Sequence, residues 1–193
     1  GADMPALGLG TWELARSDVA GAVSAALDCG IRHFDCASIY GNEAEVGVAL
    51  SEALASGSVT RPELFVTSKL WNSDHGRVRE ACLRSLRALR LDRLDLYLVH
   101  WPVATGPAAG APLAETWLQM QELVAEGLVT SIGVSNLSAT KLAALLATGP
   151  AIVPAVNQVE RHPLWRNDDL VRACGRHGVH VTAYAPLGRG DSR

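Results

Sequence analysis

Short apolar runs alternate with longer helical patterns along the chain. The runs are rich in Val, Ile, Leu, Phe and Tyr, which is typical of strands that are covered on both faces. Their starts are spaced by 24 to 36 residues, the length of one βα unit. The pattern therefore predicts six consecutive βα units. The six predicted strands begin near Arg32, Leu64, Leu94, Thr130, Ala155 and Val179.

Helical patterns fill the intervals between the predicted strands. Four of them follow a residue that can serve as an N-cap, because its side-chain oxygen can accept from a free backbone N–H in the first turn. These residues are Ser17, Asn42, Ser138 and Asn167. Two further helices are predicted over about residues 75–89 and 113–126. Repeated βα units indicate an α/β fold with a parallel sheet.

Two observations favour a closed barrel over an open dinucleotide-binding sheet. Gly8-Leu9-Gly10 lacks the third glycine of a G-x-G-x-x-G fingerprint and precedes the first predicted strand. In addition, polar residues close several different apolar runs, where a (β/α)8 barrel builds its active site. These strand-end residues are Asp35, Lys69, His100, Ser135, Asn136, Gln158 and Tyr184. The predicted fold is a (β/α)8 TIM barrel.

The length of the chain falls short of a full barrel. A (β/α)8 barrel typically takes about 250 residues, whereas this chain has 193. We therefore expect a single barrel domain over residues 1–193 that is truncated after the sixth βα unit, with the two C-terminal units missing.

Four residues near the predicted barrel mouth form a chemically coherent set. Asp35 alone could cap a turn, and His100 alone could be a core histidine. Lys69 is harder to dismiss, because a lysine is rarely buried without a partner. Its ammonium would stabilise the phenolate of Tyr40 and lower the pKa of that phenol, while Asp35 keeps the lysine charged. His100 could orient a carbonyl oxygen.

Composition excludes several other classes of protein. The chain is 48% hydrophobic and 19% charged with a net charge of -3, so nothing indicates nucleic-acid binding. No apolar stretch is long enough to span a membrane, and the four cysteines lack metal or disulfide spacing. His177 and His180 have no third ligand spaced to join them, so no metal is expected. We expect a cytosolic protein, monomeric if its barrel is complete.

Seven motifs in order resemble the aldo-keto reductases, in particular the aldose and aldehyde reductase branch. They run over nearly the whole chain: GLGTW (8–12), GIRHFDCASIYGNEAEVG (30–47), TSKLW (67–71), LYLVHWP (96–102), SIGVSN (131–136), VNQVERHP (156–163) and TAYAPLG (182–188). The resemblance implies NADPH-dependent reduction of an aldehyde or ketone, with Tyr40 as general acid in a tetrad with Asp35, Lys69 and His100.

The resemblance also assigns cofactor and substrate residues. It implies that Ser135, Asn136 and Gln158 bond the nicotinamide carboxamide and that the Tyr184 ring stacks on the nicotinamide. Further cofactor-binding residues are Thr11, Trp12, Pro186 and Leu187. The substrate pocket would be lined by Trp12, Trp71 and Trp101. No residue of the chain is assigned to the adenosine 2′-phosphate, so NADP rather than NAD is implied by the family alone.

Two alternative functions stay open from the sequence. A lysine at a barrel strand end can form a Schiff base, so Lys69 could serve a class I aldolase without a cofactor. A truncated barrel could instead bind the cofactor as a regulatory or vestigial module without turnover, because missing strands would leave open sheet edges.

Overall fold

The computed structural model describes residues 3–190, which form one parallel sheet surrounded by helices. The seven strands are β1 (Gly8–Gly10), β2 (His33–Asp35), β3 (Phe65–Leu70), β4 (Leu94–Val99), β5 (Val129–Ser135), β6 (Val156–Glu160) and β7 (His180–Tyr184). The six helices are α1 (Val19–Asp28), α2 (Glu43–Ala55), α3 (Val78–Leu89), α4 (Leu113–Ala125), α5 (Ala139–Ala147) and α6 (Asp168–Arg176). The strands pair in chain order, each parallel to the next.

The strand count corrects one sequence-based expectation. All six predicted strands are present and begin within one residue of their predicted starts. The seventh is β1, which was not predicted. Its three residues include two glycines and one apolar side chain, so it carries no hydrophobic run to detect. It is a strand because its backbone pairs with β2, with Leu9 opposite Phe34.

The two faces of each strand meet different surroundings. In β3 all six residues are buried, and alternate side chains point to opposite faces of the sheet. Val66 and Leu70 belong to the main core, which packs the sheet against the helices. Phe65 belongs to a smaller cluster with Leu96, Leu98 and Val156. Lys69 shares the face of Phe65, so its side chain points away from the helices.

The sheet order places β1 and β7 at its two edges. Among residues 3–190 these two strands are not hydrogen-bonded to each other. None of the helices in this part of the chain is long and apolar enough to cross a membrane.

The contact between α2 and α3 depends on a glycine. A Cβ added to Gly47 would lie 2.2 Å from the backbone oxygen of Ala88, closer than real atoms approach. We expect Gly47→Ala to lower the free energy of unfolding by about 1–3 kcal/mol, because the helices must separate. Gly21→Ala in α1 is the matched control, since its added Cβ meets no atom within 4 Å.

The control variant should gain stability instead. Removing a helical glycine with no steric conflict is expected to stabilise by about 0.5–1 kcal/mol. Urea denaturation of both variants checks the pair. Equal stability of Gly47→Ala and the parent protein would show that α2 and α3 can separate at no cost.

Candidate active site

Lys69 is the most deeply buried charged residue of the site. Its side chain has no solvent exposure, and β3 holds it at the carboxyl end of the sheet. Nζ donates to Asp35 Oδ1, to the backbone oxygen of Cys36 at 3.1 Å and to Tyr40 Oη at 3.0 Å. An ammonium has three hydrogens to donate, so these partners use all of them. Burial lowers the pKa of Lys69, but Asp35 and Tyr40 raise it above its usual value.

Asp35 is the last residue of β2 and is fixed from several directions. Its Oδ1 accepts from Lys69, and its Oδ2 accepts from Gln158 Nε2 at 2.6 Å. The backbone oxygen of Asp35 accepts from the Thr11 hydroxyl at 3.0 Å. The carboxylate therefore links β3, which carries Lys69, to β6, which carries Gln158.

Tyr40 lies in a short 3-10 turn (Ser38–Tyr40) between β2 and α2. Lys69 Nζ is 4.9 Å from the centroid of its ring, and the rings of Trp12 and His100 lie 5.0 and 5.7 Å away. Burial and, after it, the charge of Asp35 raise the pKa of Tyr40, while Lys69 lowers it; the net pKa is above its usual value. Lys69 thus lowers the pKa of Tyr40 in the expected direction, but the opposing causes outweigh its effect.

His100 follows β4 directly and faces Tyr40. Its ring also lies against Trp71, with ring centroids 5.1 Å apart. Burial and, after it, Lys69 lower the pKa of His100 to about 4. The imidazole is therefore neutral near pH 7, when one ring nitrogen donates and the other accepts. Its Nδ1 is buried without a hydrogen-bond partner among the described residues.

The lowered pKa of His100 predicts a pH dependence of stability. In the unfolded chain His100 is protonated below about pH 6.5, whereas in the folded protein it stays neutral down to about pH 4. The unfolded state therefore binds more protons between these pH values, so the free energy of unfolding falls as the pH falls. We expect His100→Gln to lose less stability between pH 7 and pH 5, by about 1–2 kcal/mol. Urea denaturation at the two pH values measures it, and an unchanged pH dependence would contradict a buried neutral imidazole.

The polar residues at the ends of β5, β6 and β7 bond to one another. Ser135 Oγ donates to the Gln158 backbone oxygen at 2.8 Å, and Tyr184 Oη donates to Asn136 Oδ1 at 3.0 Å. Asn136 Nδ2 donates to the His100 backbone oxygen at 3.0 Å and to Ser135 Oγ at 3.1 Å. Asn136 has a φ of 60°, which turns the chain where β5 ends. The structure thus brings these four residues beside the tetrad.

The remaining predicted residues lie in different settings. Trp12 and Trp101 are about half exposed, and Trp71 is partly buried against His100. Thr11 is fully buried and its hydroxyl bonds to Asp35, so that group is already used inside the protein. Pro186 and Leu187 follow β7 and are exposed.

Sequence reasoning missed two buried residues that support the site. Asn42 Nδ2 donates to the backbone oxygens of Thr11 at 2.8 Å and Leu14 at 3.2 Å. Glu43 begins α2 and is nearly fully buried among hydroxyl groups. The sequence places both within three residues of Tyr40, but a helix start that is rich in Asn and Glu predicts ordinary capping instead. Among residues 3–190, no group of three or more His, Cys, Asp or Glu side chains is arranged to hold a metal ion.

Comparisons with known proteins identify the family of the chain. The model of the Aldo/keto reductase family matches residues 6–191. An NADP-dependent D-sorbitol-6-phosphate dehydrogenase from Malus domestica is 45% identical over 97% of the chain and 66% of its own length. The Aldo-keto reductase family 1 member A1-A of Danio rerio is 47% identical over 99% of the chain and 64% of its own length. The chain thus spans about two thirds of these relatives.

Solved structures extend the similarity to the fold. A Bombyx mori aldo-keto reductase in complex with NADP superposes with a TM-score of 0.92 at 40% identity, covering 98% of this chain and 66% of that one. An aldose reductase from Schistosoma japonicum gives a TM-score of 0.92 at 42% identity, covering 100% and 69%. These similarities confirm the predicted barrel fold. The chain belongs to the aldo/keto reductase family.

Proposed function

We propose that this protein reduces aldehyde and ketone carbonyls to alcohols with NADPH, and that Tyr40 is the general acid. One observation carries the proposal: a fully buried lysine donates to both a carboxylate and a phenol beside a neutral imidazole. Burying an ammonium is costly unless it is paired. We therefore infer that the charge of Lys69 at this strand end has a functional role.

The hydrogen-bond directions suit proton donation to a substrate. Lys69 donates to Tyr40 Oη, so the hydrogen of the phenol is free to point to another acceptor. A substrate carbonyl oxygen near Tyr40 and His100 would accept from both groups. As negative charge develops on that oxygen, the phenol gives up its proton and Lys69 stabilises the resulting phenolate. A raised pKa keeps the phenol protonated until this step, and an alkoxide is basic enough to take the proton.

The neighbouring polar groups suit a nicotinamide cofactor, which supplies the hydride when it is bound. Ser135 Oγ and Asn136 Oδ1 each keep a lone pair that can accept from the N–H groups of a carboxamide, because each oxygen accepts from only one protein donor. Gln158 Nε2 uses one of its two hydrogens on Asp35, which leaves the other to donate. We assign Tyr184 to packing against the nicotinamide ring. The NADP named for the Malus domestica and Bombyx mori proteins supports NADP(H) as the cofactor.

The substrate side of the site favours apolar carbonyl compounds. Trp12 and Trp71 pack against Tyr40 and His100, and Trp101 follows His100 with about half of its surface exposed. Aromatic walls with a few convergent polar groups are typical of small-molecule pockets. We infer that aromatic aldehydes are suitable test substrates.

The bonding of Lys69 argues against the aldolase alternative. A Schiff base requires a neutral amine with a free lone pair. All three hydrogens of the Lys69 ammonium are donated to protein oxygens, and its pKa is raised, so it stays protonated at neutral pH. An ammonium held in this way is a poor nucleophile.

The test combines binding and turnover in the purified protein. NADPH is titrated against tryptophan fluorescence, and its oxidation with an aromatic aldehyde is followed by nicotinamide absorbance. Saturable quenching together with aldehyde-dependent oxidation is expected. Quenching without turnover would instead favour a cofactor-binding module. Borohydride trapping of an aldehyde on Lys69 without cofactor would favour the aldolase.

A further inference from the structure

A buried carboxylate lies on the opposite side of β3 from the proposed catalytic groups. Glu43 Oε1 accepts from Ser68 Oγ at 2.5 Å, and its Oε2 accepts from Ser85 Oγ at 3.0 Å. Ser68 and Ser85 are fully buried, and Glu43 is nearly so. We call these three residues the Glu43 clamp. The clamp joins the start of α2 to the interiors of β3 and α3, because each element contributes one of its members.

Two members of the Glu43 clamp, Ser68 and Glu43, lie close in sequence to proposed catalytic residues. Ser68 directly precedes Lys69 on β3, so their side chains leave opposite faces of the same strand. Glu43 follows Tyr40 by three residues, and only Gly41 and Asn42 separate them. The position of the α2 start against β3 therefore contributes to the distance between Tyr40 and Lys69, together with the backbone bond from Cys36 N to the Thr67 oxygen at 2.8 Å.

The packing of α2 against α3 allows the clamp to form. Gly47 lies one helical turn after Glu43, and residues four apart share a helix face. The missing side chain of Gly47 lets this face approach the backbone of Ala88 and Leu89 in α3. Ser85 lies one turn before Leu89, within reach of Glu43. Burial raises the pKa of Glu43, while the two hydroxyls and Lys69 act in the opposite direction.

We propose that the Glu43 clamp is a positioning device that holds the Tyr40 phenol within hydrogen-bonding distance of the Lys69 ammonium. The clamp does not touch the substrate. It acts by fixing the start of α2, and with it the turn that carries Tyr40, against the strand that carries Lys69. The inference rests on the proposed function for its effect on rate, but its effect on geometry can be measured without turnover.

The geometric test uses fluorine NMR of protein that contains fluorinated tyrosine. The chain has three tyrosines, and the Tyr40 resonance is assigned by its absence in Tyr40→Phe. We expect this resonance to shift or broaden in Glu43→Ala and in Ser85→Ala. We expect it to stay near its original position in Glu43→Gln, because the amide keeps hydrogen bonds to both serines. The Tyr184 resonance serves as an internal reference.

The matched control is a carboxylate that supports β3 from its other end. Asp95 accepts from the backbone N–H of Val66 and from Arg61 Nη2, both at 2.8 Å. Asp95→Asn is expected to lower the free energy of unfolding without moving the Tyr40 resonance. This comparison separates a positioning role from general stabilisation of the strand.

The kinetic test follows the same variants. Glu43→Ala is expected to lower kcat by about 10- to 100-fold, as misplaced catalytic groups do, while KM for the aldehyde and the Kd for NADPH change little. Asp95→Asn should leave kcat per bound cofactor unchanged.

An unmoved Tyr40 resonance in both Glu43→Ala and Ser85→Ala would overturn the proposal, as would an equal shift of this resonance in Asp95→Asn. If Glu43→Ala does not fold, the Tyr40 resonance of Ser85→Ala tests the proposal instead. Absence of turnover in the parent protein would overturn only the proposed function. The Tyr40 resonance would still test whether the Glu43 clamp positions the phenol.

Discussion

Replacing Tyr40 by phenylalanine is expected to lower the rate of aldehyde reduction by about 10²- to 10⁴-fold, the usual contribution of a general acid. The variant removes one oxygen and keeps the ring, which packs against Trp12 and His100. Lys69 keeps its bonds to Asp35 and the Cys36 backbone, so the fold should be retained. Binding of NADPH should change little, because none of the residues assigned to the cofactor bonds to the phenol.

Tyr97→Phe provides the matched control for this experiment. Tyr97 is fully buried in β4, and its hydroxyl has no hydrogen-bond partner among the described residues. Removing an unpartnered buried hydroxyl is expected to be neutral or stabilising. Steady-state rates of NADPH oxidation compare both variants with the parent protein. Retained activity in Tyr40→Phe would refute the proton-donor assignment.

Replacing Lys69 by methionine is expected to damage both stability and activity. Methionine fills a similar volume but leaves the Asp35 carboxylate without its cation at a mostly buried position. Breaking a buried ion pair in this way costs about 3–5 kcal/mol. Urea denaturation should show this loss, and aldehyde reduction should fall strongly because the phenolate of Tyr40 is no longer stabilised.

A double variant distinguishes the loss of the pair from the loss of packing. Asp35→Asn combined with Lys69→Met removes both charges and keeps an amide that can still accept from Gln158. It should regain part of the lost stability but none of the activity. If Lys69→Met alone is as stable as the parent protein, the buried ion pair does not have the strength that its geometry indicates.

The hydrophobic pattern predicted most of the fold because parallel strands bury both faces. β4 reads as a near-continuous apolar run that is interrupted at Asp95, and its start at Leu94 was predicted to the residue. β1 was missed because pairing with β2, and not its own side chains, makes it a strand.

The helix N-caps were predicted less well than the strands. Ser138 does cap α5 through Lys141 N, but Ser17 instead donates to Asp18, and α1 begins at Val19.

The site was predictable as a set of residues but not as a network. Strand-end positions were enough to bring Asp35, Lys69 and His100 together, because parallel strands end at one edge of the sheet. The net pKa of Tyr40 could not be predicted, since it depends on how far burial outweighs the nearby ammonium. The role of Glu43 was also hidden, because its partners Ser68 and Ser85 lie in two other elements.

The most direct test of the proposed function follows the hydride itself. NADPH that carries deuterium at the hydride-donating position is incubated with the protein and an aromatic aldehyde, and the product is analysed by mass spectrometry. We expect one deuterium on the carbinol carbon of the alcohol for each NADPH consumed, and almost no labelled alcohol with Tyr40→Phe. Labelled alcohol formed equally by Tyr40→Phe, or NADPH bound without any labelled alcohol from the parent protein, would contradict carbonyl reduction by this site.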